Sequence, residues 1–352
     1  MKAVTLKGDE HIVIVRLSAL GDVILLLPTV RALKAQYPQL KITWIISKIF
    51  YPLVADIDDI NFIAIDKPKK LADYVQLHKQ LKAYKFDILL ALQASFRVNF
   101  IACLIKAKIK IGYDKARAND LQSWFTNRQV APGRQHLLES FFAFANVLGV
   151  KQDKLSWDIP VPEEAEQWLQ LHVDMAKRPL IVINPAASKP ERNWVLSRYV
   201  ELIQQLQQQY QAQIVLSGGP GKEEVELADN ITQASKNVIN LVGKTNLKQL
   251  AALLRAADCV IAPDTGPAHL AIAMGSRVVG LYAVCPVTKS GPYLSQQHCV
   301  DVYAQAVKQF LQKDVENVSW KTKVHHPDAM KLITVDAVLE KIKGVLDDVA
   351  AE

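Results

Sequence analysis

The stretch "CVIAPDTGPAHLAIAMG", from Cys259 to Gly275, decides the fold. An apolar run stops at Pro263, an Asp-Thr-Gly-Pro turn follows, and small and apolar residues then continue at helical density. This is a buried strand running into a helix. Pro267 suits the first helical position, because its missing N–H would have no intrahelical partner there anyway. Thr265 and Gly266 then stand at the N-cap with their amides available, and the dipole of the following helix makes that end attractive to an anion. His269 in the first turn can add a hydrogen bond. Two readings fit Asp264–His269: a seat for a diphosphate that needs no metal, or a plainly capped helix with a core-facing histidine.

The same alternation continues on both sides. Apolar runs at 179–188, 213–219, 238–244, 258–264 and 277–283 read as strands, with helical spacing at 199–210, 223–234, 247–257 and 267–275. The N-terminal half repeats the plan, with strands at 11–17, 41–47, 60–66, 86–93 and 108–114 and helices at 22–38 and 71–85. Strands that alternate with helices imply right-handed crossovers and a parallel sheet. The expected fold class is therefore α/β, with two Rossmann-like domains, at 1–160 and 175–330, facing across a cleft. The proline-bearing stretch 156–168 joins them, and a last helix lies in 331–352. Ligands of such sheets bind outside the C-terminal strand ends.

A chain of 352 residues is long for a single core, which agrees with two domains. Half of it is hydrophobic and 22% is charged, an ordinary globular composition. No apolar run approaches the ~18 residues of a membrane span, and "MKAVTLKGDEH" lacks a signal-peptide core. Cys103, Cys259, Cys285 and Cys299 show no paired spacing and read as reduced thiols of a cytoplasmic protein. The charge is uneven. Residues 1–160 hold 23 Lys/Arg against 14 Asp/Glu, whereas the remainder holds 19 against 21. The basic half suits an anionic partner, whether a phosphorylated ligand, a membrane surface or nucleic acid, or serves solubility alone.

The informative loops all follow strands. In "RLSALGDV" (16–23), Ser18, Gly21 and Asp22 form a strand-to-helix turn. Gly21 allows close backbone approach to a ligand. Asp22 is either a general base or a first-turn acid favoured by the helix dipole. In "NPAASKPERNW" (184–194), Lys189 and Arg192 are placed for phosphate oxygens or on a solvated loop. "SGGPGKEE" (217–224) matches neither GxGxxG nor a P-loop. Its Glu223 suits ribose hydroxyls or an exposed first turn.

Other chemistries find little support. "DIDD" (56–59) follows a helix-like segment rather than a strand end, and His325-His326 lacks a third ligand at a useful spacing, so no metal and no cofactor is expected. No nucleophile elbow is present. The aromatics of the basic half form no stacking platform, which argues against nucleic acid.

Three stretches together resemble a known family: "IVIVRLSALGDVILLLPTVRALKAQYP", "NPAASKPERNW" and "LKQLAALLRAADCVIAPDTGPAHLAIAMGSRVVGLYA", with "SGPY" following. They are similar to the ADP-heptose:lipopolysaccharide heptosyltransferases, glycosyltransferase family nine, in order and spacing from about residue 12 onward. The resemblance implies the GT-B fold and inverting, metal-independent transfer of heptose from ADP-heptose. The implied acceptor is Kdo-lipid A or another inner-core lipopolysaccharide sugar. A peripheral contact with the anionic inner membrane, on its cytoplasmic side, follows. By motif, Asp22 matches the general base, and Lys189, Arg192, Glu223, Asp264, Thr265, Gly266 and His269 match the donor site. Ser18 and Gly21 fall on the acceptor side. The stretch 92–125 is closer to enzymes adding the first heptose, with Arg97, Lys115 and Arg117 as anion contacts. The resemblance also implies a final helix packing back on the N-terminal domain. Three departures stand out. "AVCPVT" (283–288) replaces Gly-Pro-Thr-Asp-Pro, Arg192 stands for the commoner lysine, and the C-terminal cysteine cluster of many members is missing. Two rivals remain: a GT-B transferase using another nucleotide sugar, and a non-enzymatic anion- or membrane-binding protein of the same fold.

Overall fold

The structure is a computed structural model, and it describes residues 4–151 and 154–350. The chain divides into two compact units, Met1–Pro160 and Val161–Glu352. The first sheet contains β1 (His11–Val15), β2 (Lys41–Ser47), β3 (Asn61–Ile65), β4 (Ile88–Ala91), β5 (Ile109–Gly112) and β6 (Arg128–Gln129). Its order is β3-β2-β1-β4-β5-β6, with every pair parallel. The second sheet contains β7 (Leu180–Ile183), β8 (Gln213–Leu216), β9 (Val238–Asn240), β10 (Cys259–Pro263), β11 (Val278–Tyr282) and β12 (Val300–Asp301). Its order, β12-β11-β10-β7-β8-β9, is the same arrangement read from the other edge. Both are doubly wound sheets whose order reverses beside the first strand, where Rossmann-like units bind ligands.

Residue type explains the central strands. β1 reads HIVIV, and its last four residues are buried. Its β-branched side chains favour the pleated strand and pack on both faces. It pairs with β2 on one side (Ile12 beside Ile42) and β4 on the other (Ile12 beside Ile88). β10 is buried along its whole length and lies between β7 and β11. The runs expected from the sequence are strands here. β6 and β12 were not expected; at two residues each they show no periodicity to read.

The terminal helix, Val335–Ala350, belongs to the second unit. It buries Val338, Ile342 and Val345, one helical stripe, in the core that also takes Tyr199, Leu202 and Leu206 of the helix Leu196–Tyr210. Trp194 fastens its entry, donating from Nε1 to the Ile333 carbonyl at 3.1 Å. Its apolar stripe is thus used within the second unit. The last two residues of the expected segment 331–352 lie outside the described residues.

Candidate active site

In the first unit the turn leaving β1 is held from three sides. Leu17 N donates to Gln93 Oε1 (3.0 Å), Trp44 Nε1 donates to the Arg16 carbonyl (3.0 Å), and Arg16 Nη1 donates to the Leu92 carbonyl (2.5 Å). The Ser18–Ala19 peptide is cis. Ser18 is half-buried and Gly21 buried, at the start of the helix Leu20–Gln36. Asp22 is the third residue of that helix. Its Oδ2 accepts from Ala19 N at 2.8 Å and forms an ion pair with Arg16. Both contacts use Oδ2, and Oδ1 has no hydrogen-bond partner among the described residues. The side chain keeps 22% of its surface exposed. Asp22 therefore fills the capping role and still presents a carboxylate oxygen at a C-terminal strand end.

Arg16 was not singled out by sequence reasoning, although it opens the "RLSALGDV" stretch. Its side chain is 11% exposed, and its guanidinium lies 5.1 Å from the centre of the Phe141 ring. Behind it, the Tyr113 hydroxyl donates to the Leu92 carbonyl at 3.2 Å. Burial pushes that phenol up to about 12, so it stays protonated at neutral pH.

The anion contacts expected further along divide. Arg97 is exposed in the first turn of the helix Phe96–Leu104. Lys115 is exposed and lines an open groove of about 890 Å³ formed with Val130–Pro132 and the helix Leu137–Val147. Arg117 is committed elsewhere. It pairs with Asp114, donates to Ser140 Oγ (2.9 Å) and the Ala131 carbonyl (2.5 Å), and lies against Tyr113. A guanidinium with its donors so engaged holds the loop together rather than offering itself to a ligand.

In the second unit the turn after β10 gathers the donor-site candidates. Thr265 is the N-cap of the helix Gly266–Ala273, as expected, and Pro267 is its second residue rather than its first. The Thr265 hydroxyl is buried and has no hydrogen-bond partner among the described residues. His269, one turn in, is buried. Arg192 ends a single 3₁₀ turn, Pro190–Arg192, and its Nη1 donates to both the carbonyl (2.8 Å) and Oδ2 (3.0 Å) of Asp264. Both bonds come from one nitrogen, so arginine differs from lysine here in the further donors that its planar fork carries. A bidentate grip on phosphate would fall to its other nitrogens. Lys189 is exposed at the start of the same turn.

The departure "AVCPVT" has a structural consequence. It places Cys285 against the turn, its Sγ donating to Asp264 Oδ2 at 3.2 Å. Burial, reinforced by the Asp264 charge, pushes this thiol up to about 12. The following single-turn helix, Val287–Ser290, brings in Lys289, whose Nζ donates to the Trp320 carbonyl at 2.9 Å. Burial lowers the pKa of this ammonium, with Asp264 among the charges that oppose the shift. Lys289 carries no local signal in the sequence, because its placement depends on how residues 283–290 turn.

The glycine-rich loop gives the clearest exchange of roles. Glu223 is exposed. Its neighbour Glu224 turns back under the loop, where Oε2 accepts from Gly219 N at 2.7 Å. A Cβ at Gly218, Gly219 or Gly221 would lie only 3.1–3.2 Å from that carboxylate, so these glycines leave it room. Two adjacent acids in a first turn are indistinguishable by spacing.

Among the described residues no group of three His, Cys, Asp or Glu could hold a metal ion, and no helix is long and apolar enough to cross a membrane. His325 instead contacts Glu191 (2.7 Å), and His326 stacks on Phe310.

Residues 74–319 match the family described as glycosyltransferase family 9 (heptosyltransferase). The lipopolysaccharide core heptosyltransferase OpsX of Haemophilus influenzae is 34% identical over 96% of this chain and 97% of its own. Lipopolysaccharide heptosyltransferase 3 of Escherichia coli is 26% identical over 74% of this chain and 80% of its own. Among solved structures, a family 9 glycosyl transferase from Veillonella parvula superposes with a TM-score of 0.80 at 21% identity, covering 97% of this chain and 99% of that one. The E. coli heptosyltransferase WaaC with ADP gives a TM-score of 0.73 at 21% identity, covering 95% and 99%. The fold is thus the GT-B class expected from the sequence.

Proposed function

The chain belongs to glycosyltransferase family 9, the heptosyltransferases, and from that premise we propose that it transfers heptose from ADP-heptose to an inner-core lipopolysaccharide sugar. The observation that carries the donor half is the Thr265 helix start. A buried hydroxyl without a hydrogen-bond partner among the described residues and the first helical amides lie beside Arg192 at a C-terminal strand end. Such a group of donors suits a diphosphate, whose charge grows as it departs. In this reading Lys189, His269 and Lys289 add cationic or hydrogen-bonding capacity, and Glu223 takes the donor's sugar hydroxyls.

The acceptor half rests on Asp22. The acceptor oxygen attacks the anomeric carbon from the face opposite the diphosphate. As the new carbon–oxygen bond forms, the bond to phosphate breaks and ADP leaves with the electron pair. The acceptor proton passes to Asp22, through the carboxylate oxygen that Arg16 and Ala19 leave available. The transition state is oxocarbenium-like, as in other glycosyl transfer. Ser18 and Gly21 flank the acceptor, and Arg97 and Lys115 meet the acidic groups of a Kdo-bearing or phosphorylated core. The enzyme then works on the cytoplasmic side, in peripheral contact with the anionic membrane that carries its acceptor.

The test is mass spectrometry of the product formed from ADP-heptose and a deep-rough lipid acceptor, run beside UDP-, GDP- and ADP-linked hexoses. A heptose mass increment with ADP released is expected. Transfer from a different nucleotide sugar alone would replace the donor assignment, and no transfer from any would remove the reading. Asp22→Asn should retain ADP binding and lose about 10²–10⁴-fold in turnover.

A further inference from the structure

The first sheet is entirely parallel, so the segments leaving β2, β3, β4 and β5 all emerge at one edge, the edge that also carries Asp22. Every exposed large apolar side chain described in the first unit follows one of these exits: Ile49 after β2, Leu71 and Val75 after β3, Phe96 after β4, and Leu121 and Trp124 after β5. Three of them are fastened together. Asp120 accepts from Phe96 N at 2.8 Å, and Asn99 Nδ2 holds the carbonyls of Asn119 and Asp120 at 3.2 and 2.7 Å. Leu121 follows directly, and Trp124 N bonds its carbonyl at 2.9 Å. Phe96, Leu121 and Trp124, exposed by 69%, 55% and 77%, thus sit on one hydrogen-bonded scaffold. Tyr74 meets Phe100 edge to face at 4.7 Å, which places the helix bearing Leu71 and Val75 alongside.

Cations accompany these tips. Lys67, Lys69 and Lys70 are exposed between β3 and Leu71, and Arg97 adjoins Phe96. The acids of the same edge are occupied: Asp66 by Lys48 (2.7 Å), Asp73 by the amides of Lys69 and Lys70, and Asp120 by Phe96 N. Protein interfaces are depleted in lysine. Aromatic and aliphatic tips among lysines instead match the headgroup layer of a bilayer, where Trp sits at the boundary and Lys reaches lipid phosphate.

We propose that this edge of the first sheet is a membrane-docking surface, with Phe96, Leu121 and Trp124 entering the headgroup layer and Lys67, Lys69 and Lys70 contacting anionic lipid phosphate. The proposal specifies the membrane contact of the function above and rests on its lipid-borne acceptor. A surface built this way brings Asp22 to the layer in which that acceptor is anchored.

The experiment uses the full chain with vesicles of phosphatidylethanolamine and phosphatidylglycerol, and with phosphatidylcholine vesicles as the neutral comparison. The wild type should sediment with the anionic vesicles. The triple variant Phe96→Ser/Leu121→Ser/Trp124→Ser should partition at least about 10-fold less, as should Lys67→Glu/Lys69→Glu/Lys70→Glu, whose wild-type counterpart should weaken with salt. Transfer to a deacylated, water-soluble acceptor should be unchanged in both variants, while KM for vesicle-embedded acceptor rises about 10-fold. Equal vesicle binding by wild type and variants would overturn the proposal. So would loss of rate on the soluble acceptor, which would make these residues part of sugar recognition or folding. Absence of vesicle binding by the wild type, with the same edge captured by a protein partner instead, would overturn it too. If no protein transfers heptose to the soluble acceptor yet vesicle binding separates wild type from variants, the transferase reading fails and the membrane surface stands.

Discussion

Arg192 Nη1 lies 2.8 Å from the main-chain oxygen of Asp264 and 3.0 Å from its carboxylate, so one nitrogen pins the turn that we propose as the donor seat. Both side chains are mostly buried, and hydrogen bonds to charged groups in such settings contribute about 1.5–3 kcal/mol. Arg192→Met should therefore lower the melting temperature by several degrees and weaken ADP binding by at least about 10-fold. Arg192→Lys should restore part of the stability and less of the affinity, because an ammonium lacks the fork. Calorimetry with ADP and a thermal melt check both.

The Arg16–Asp22 pair makes a different prediction. Arg16 orients the carboxylate and touches no reacting atom in the mechanism above, so Arg16→Met should lower kcat by about 10–100-fold while leaving donor KM nearly unchanged. Arg16→Lys should recover part of the rate. A rise in donor KM with kcat intact would remove the positioning role.

Glu223 and Glu224 should separate cleanly. Glu224→Ala leaves the Gly219 amide without its carboxylate partner and should cost about 1 kcal/mol of stability. Glu223→Ala should stay within about 0.5 kcal/mol of the wild type, as exposed substitutions do, yet raise donor KM. Paired melts and initial rates decide between them.

Thiol chemistry should follow burial. Cys259, Cys285 and Cys299 are buried with thiols pushed up to about 12, whereas Cys103 is exposed. Ellman's reagent at pH 8 should titrate Cys103 alone in the native protein. Reaction should be slow, because partial burial raises that thiol too. All four should react after denaturation. Rapid loss of Cys285 in the folded state would contradict its packing against Asp264.

Two histidines set a pH dependence. Burial lowers the pKa of His11, whose Nε2 lies 2.8 Å from Thr43 Oγ1, and that of His298. The unfolded chain takes up these protons more readily, near pH 6.5, so stability present above that value is lost as pH falls below it. Melting temperatures should decline from pH 7.5 to 5.5. The double variant His11→Gln/His298→Gln should flatten the decline over that interval.

The sequence by itself determined the doubly wound plan, because buried parallel strands need continuous apolar runs and their crossovers need amphipathic helices. It also determined the Asp22 and Asp264–His269 turns, since helix starts after strands carry their own local chemistry. Only the tertiary structure decided that Asp22 is both cap and partner of Arg16, that Arg117 is consumed by Asp114, Ser140 and Ala131, and that Glu224 rather than Glu223 supports the glycine loop. It alone set Cys285 and Lys289 beside the Asp264 turn. The reason is range. Strand and helix patterns are written in neighbours a few residues apart at fixed spacing, whereas the partner of a polar side chain lies anywhere from 3 residues away, as Asp114 from Arg117, to 76, as Leu92 from Arg16, and is chosen only once the loops and the sheet have taken their places.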